Sequence, residues 1–108
     1  METERLGDSI WTPDKPLSVG DRAYFYARLR NKLHNALLKQ YMAFEADEPQ
    51  AREKLAKRLG TTRAWVTRRL YSPSGMSIQS LSDMMLALDC EIEVQASRLK
   101  VSLPSTRR

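Results

Sequence analysis

AREKLAKRLGTTRAWVTRRL, residues 51–70, carries two helices and the break between them. Leu55, Ala56 and Leu59 fall at the three- and four-residue intervals that put side chains on one side of a helix, with Arg52, Lys54, Lys57 and Arg58 more exposed. Gly60 ends that helix, since glycine takes the left-handed conformation that closes a helix terminus. Thr61 or Thr62 caps the next helix through Leu70, with Val66 and Leu70 as its buried i,i+4 pair. Two helices that meet at a sharp angle need a small residue at the contact, which is Ala56. They need a tight turn, supplied by Gly60, and a branched apolar anchor, Val66, to hold the later helix on the core with its far side outward.

The charge has the same address. From Gln50 to Leu70, seven arginines and lysines stand against the single acid Glu53, a net +6 in a chain whose total is +5. The flanking segments are therefore close to neutral. A basic stretch between neutral ones is a footprint aimed at a polyanion. A solvated helix face is the ordinary reading of a charge run, and the apolar pattern beneath it favours the polyanion.

A chain of 108 residues, 42% hydrophobic and 29% charged, suits one small domain with one core. No apolar run approaches a membrane span, and the start, METERLGDSI, has no apolar signal region, so a cytoplasmic, nucleoid-associated location is expected. Cys90 is the sole cysteine; it excludes an intramolecular disulfide and reads as a small buried hydrophobe.

Residues 1–20, with Gly7, Pro13, Pro16 and Gly20, read as an extended or disordered arm in which Ile10 and Trp11 have no assigned seat. Phe25, Leu29, Leu33, Leu37, Tyr41 and Phe44 then form one helical stripe, started by Ser18 or Asp21. His34 lies beside it as a surface or partly buried side chain without assigned chemistry. Asp47, Pro49 and Gln50 resemble a capping box that starts the next helix. Beyond Leu70, Ser72-Pro73-Ser74-Gly75 is loop chemistry. A helix from near Ser77 carries Ile78, Leu81, Met85 and Leu88 on one face. Ile92, Val94 and Ala96 alternate with Glu93 and Gln95 and predict a short strand over 91–96, with a loose basic tail over 97–108. The expectation is an all-α domain of about five helices over 21–96, closed by that strand.

The chain here resembles the lambda-repressor-like, Cro-type helix-turn-helix family. AREKLAKRLGTTRAWVTRRL carries the likeness, and YSPSGMSIQSLSDMMLALDCEIEV is similar to that family's next helix and trailing strand, about 50–96 together. The resemblance implies that Thr62 to Leu70 is a recognition helix. Thr62 then stands where free amides and a hydroxyl hold a phosphate. Arg63, Ala64, Thr67 and Arg68 face the major groove: arginine donates its fork to guanine, while Ala64 and the Thr67 methyl suit a thymine methyl. Arg52 matches a position that clamps backbone beside the base contacts. The family has an apolar residue where this chain has Arg69; Leu70 takes over the anchoring, and Arg69 is expected to reach outward to phosphate. Lys54, Lys57 and Arg58 read as solvating charges, and Trp65 as half-buried packing against the first helix.

The function expected from this is a sequence-specific regulator of transcription, a repressor that binds double-stranded DNA as a homodimer, with half-sites about 34–36 Å apart. Dimer contacts are assigned to the Ile92/Val94 strand or to the arm. The alternative is an antitoxin-like module that neutralises a toxin partner, which the long arm and first helix suit. RNA binding lacks an aromatic sheet platform. With one histidine, one cysteine, no glycine-rich phosphate loop and no clustered carboxylates, the chain offers little from which to build a catalytic, cofactor or metal site.

Overall fold

The computed structural model describes residues 16–99. They form four α-helices: α1 over Val19–Asp47, α2 over Ala51–Leu59, α3 over Arg63–Tyr71 and α4 over Ile78–Ala87, with a 3₁₀ turn at Pro73–Gly75. The chain falls into two units. One is Arg28–Glu93; the other includes described residues 16–27 and 94–99. In the latter, the Ser18 hydroxyl accepts the Asp21 amide at 2.9 Å and so starts α1. Residues 19 and 20, expected in the arm, are already helical. Ile10, Trp11 and the tail from residue 100 lie outside the described residues.

The all-α expectation holds, with two corrections. The number of α-helices is four among the described residues, since α1 runs unbroken for 29 residues with no proline or internal stop, and 73–75 makes only a single 3₁₀ turn. No strand forms over 91–96. Alternation sets which side a residue faces, but a strand exists only where a neighbour completes its hydrogen-bond ladder, and no described segment does so. Ile92 packs part-buried on the core, while Val94 is exposed.

The core lies within Arg28–Glu93. Leu37 and Tyr41 of α1, Leu55 and Ala56 of α2, Val66 and Leu70 of α3, and Leu81, Met84 and Met85 of α4 are buried together. Leu33 and Phe44 pack at its margin, whereas Leu29, expected on the same stripe, is exposed. On α4 the helix is turned so that Met84 is buried and Ile78 is 72% exposed, contrary to its assignment to the inner face. Ser77 caps α4, accepting from the Ser80 amide at 3.0 Å.

Between α1 and α2 no capping box forms. Asp47 belongs to α1, and Gln50 takes a left-handed φ of 55° with no side-chain cap. Pro49 lies in the turn that precedes α2 rather than in its first turn. The α2–α3 turn follows the sequence closely. Gly60 has φ 70°, and the Thr61 amide reaches back to the Ala56 carbonyl at 2.9 Å. A Cβ at Gly60 would meet nothing within 4 Å, so any cost of a side chain there is purely backbone strain. Gly60→Ala is therefore expected to lower stability by about 1–2 kcal/mol, read as an earlier urea midpoint with unchanged slope.

Candidate nucleic-acid interface

Thr62 caps α3: its Oγ1 accepts the Trp65 amide at 3.1 Å. Val66 and Leu70 are fully buried and fix the roll of the helix. At about 100° per residue, this leaves Ala64, Thr67, Arg68 and Tyr71 off the buried face, while Arg63, three residues before Val66 and seven before Leu70, falls on the anchor side and is exposed at the helix start. Arg63 and Arg68 are about 140° apart, Arg68 nearly opposite the Val66 and Leu70 anchors. Thr67 and Tyr71 lie between the two arginines. Arg63, Ala64 and Arg68 are exposed, and Thr67 is half-buried. Arg63 approaches Glu53 at 3.8 Å, a loose exposed pair, worth little. The Arg68 side chain makes no hydrogen bond or ion pair with any described residue.

Arg52 occupies the centre of the arrangement. Its Nε donates to the Tyr41 hydroxyl at 3.3 Å, Nη1 to Thr67 Oγ1 at 3.3 Å and Nη2 to the Tyr71 hydroxyl at 3.0 Å. Its guanidinium also lies 5.3 Å from the Tyr71 ring centroid. One arginine thus joins α1, α2 and α3. The hydrogen bond to Tyr41 favours its charged form. Burial pushes the Tyr41 phenol above its ordinary range, with the bond from Arg52 acting in the opposite sense. Tyr41 in turn donates to Glu45 at 3.4 Å.

Arg69 behaves differently from the outward reach expected of it. Nη1 donates to the Gly75 carbonyl at 2.7 Å, and the guanidinium lies 5.3 Å from the Trp65 ring centroid. The reason is helical phase: residue 69 sits beside Trp65, away from Thr67 and Tyr71, and the 3₁₀ turn lies within its reach. Gly75 permits the approach, since a Cβ there would stand 2.8 Å from Arg69 Nη1. Buried His34 lies with Nε2 3.1 Å from the Arg69 carbonyl. A carbonyl only accepts, so Nε2 carries the proton and satisfies one of the C-terminal carbonyls that a helix leaves open.

The remaining α2 cations are exposed. Lys54 pairs with Glu48 at 2.8 Å and Arg58 with Asp89 at 2.9 Å. An open groove of about 490 Å³ runs past Glu53, Lys54, Lys57, Thr61 and Arg63. Among the described residues, no group of three or more His, Cys, Asp or Glu side chains is placed to hold a metal ion, and no helix is long and apolar enough to cross a membrane. Cys90 is half-buried against the core, 3.5 Å from Gln40 Oε1.

Of the sequence-predicted residues, Arg52, Thr62, Arg63, Ala64, Thr67 and Arg68 gather on and beside α3's outer side, while Arg69 turns to the loop. Tyr71 was missed. Its signal was present, four residues after Thr67 and eight after Arg63 on one helical row. No protein-family model matches the chain, and no curated protein or solved structure does either.

Proposed function

We propose that the protein binds double-stranded DNA through the outward side of α3 and regulates transcription as a dimeric repressor. A single observation carries this reading. The Val66 and Leu70 anchors turn Ala64 and Arg68 away from the core and leave Thr67 half-buried beside them, with Arg63 exposed at the helix start, all within the stretch that holds the chain's excess positive charge. A short helix anchored to the core by one side, with a small residue and an arginine on its free side and a second arginine exposed at its start, suits the width of a major groove. One such helix reads only a few base pairs, so specificity calls for two copies on two half-sites.

Selection of bound sequences from a random duplex pool tests the reading. Recovery of a two-fold symmetric motif supports it; a pool that stays random after selection overturns sequence-specific binding. Arg63 stands at the N-terminal end of α3 with only a weak pair to Glu53, so it is free to turn to a base edge. Arg63→Ala is expected to cost about 1–3 kcal/mol on the selected duplex and to relax preference at one position, a guanine. Equal weakening on selected and random duplexes would instead make Arg63 a phosphate contact.

A further inference from the structure

We infer that Arg52, Thr67 and Tyr71 form a preorganised seat for one phosphate oxyanion of duplex DNA, with Tyr71 as a backbone contact in its own right. The inference rests on the DNA-binding reading above and adds a residue and a chemistry to it.

Hydrogen-bond direction carries the argument. A guanidinium has five N–H donors and no acceptor. Each hydroxyl that meets Arg52 must therefore accept, and its own proton is turned elsewhere. The Tyr41 proton goes to Glu45. The Thr67 and Tyr71 hydroxyls accept from Nη1 and Nη2, and their protons find no acceptor among the described residues. Two N–H bonds of Arg52 are likewise uncommitted after the three it makes. The cluster is thus made of donors around a fixed positive charge, and accepting from a cation strengthens each O–H as a donor. Such a group fits an anion with several acceptor oxygens and does not fit a cation or an apolar ligand.

Its place identifies the source. Thr67 and Tyr71 lie one turn apart on the flank of α3 that meets Arg52, between Arg63 and Arg68. Tyr71 is 59% exposed, at the helix end opposite the Thr62 cap. A groove-seated α3 would bring this end against the phosphate wall. The ring, stacked with Arg52, keeps the guanidinium from swinging away.

Tyr71→Phe in the full chain isolates the hydroxyl and keeps the ring. Fluorescence anisotropy with the selected duplex should show about tenfold or greater weakening, equal on selected and random duplexes, with the melting temperature unchanged. Duplexes carrying one uncharged methylphosphonate at each position in turn should reveal one linkage whose neutralisation weakens the wild type clearly more than it weakens Tyr71→Phe, which keeps Arg52 but has lost the hydroxyl. Equal binding by the variant and the wild type would overturn the seat and leave the DNA reading standing. Weakening confined to the selected duplex would also overturn it, making Tyr71 a base reader. If the wild type binds no duplex, yet inorganic phosphate shifts the Tyr71 ring resonances, the assignment to DNA fails for both.

Discussion

Raising salt from about 50 to 200 mM is expected to weaken duplex binding on the order of 10³–10⁵-fold. Each phosphate neutralised by a lysine or arginine releases condensed counterions, and bulk salt opposes that release. On the proposed reading, Arg52, Arg68, Lys57 and the start of α3 would supply about 3–5 such contacts per copy, hence roughly 6–10 for a dimer. Exposed pairs such as Arg58–Asp89 are weak enough to open when a phosphate competes. Arg69 is left out of this number because its guanidinium is tied to the Gly75 carbonyl. Anisotropy titrations at four or five salt concentrations give the slope directly. A flat response would favour the protein-interaction alternative, in which a toxin partner rather than DNA occupies the basic surface.

Leu70→Ala is expected to destabilise the fold by about 2–5 kcal/mol. Leu70 is fully buried and is one of two residues that fix α3 to the core. Removing it both loses transfer energy and leaves a void that the neighbouring helices fill only in part. Small domains have about 5–15 kcal/mol in total, so the variant should approach half-unfolding under mild urea. The companion substitution Ile78→Ala removes a similar apolar group from a 72% exposed site and should change stability by less than about 0.5 kcal/mol. Urea titration monitored by circular dichroism compares the two; similar losses would mean that α4 is turned differently.

The α2–α3 portion was legible because each signal there has one physical meaning. Gly60 permits a backbone conformation that other residues resist, Ala56 fits a close contact, and Val66 with Leu70 spans one turn of one face. α4 was read less well, since Ile78 and Met84 are equally apolar and only packing against α2 decides which faces in. The 91–96 strand failed for a related reason: pairing is a property of two segments, and alternation describes one. The Asp47–Gln50 cap failed because Gln50 adopts a left-handed conformation that its side chain gives no cause to expect. Within the site, the resemblance placed both Arg63 and Arg68 toward the groove, whereas helical phase sets them about 140° apart. The burial of His34 and the inward turn of Arg69 depend on tertiary neighbours 35 and 6 residues away, which no local period encodes. Tyr71 lay on the right row but beyond the expected helix end.

The unequal involvement of the α3 side chains bears on how such a surface changes over generations. Arg52 is bonded to Tyr41, Thr67 and Tyr71, so any replacement there disturbs the joining of three helices along with the outer surface. Ala64 and Arg68 have no such ties, and Arg63 has only a loose one. Mutational drift at these three positions leaves the scaffold intact. On the proposed reading, binding preference could therefore change at 63, 64 and 68 one substitution at a time, while a change at 52 would disturb the joining of three helices as well.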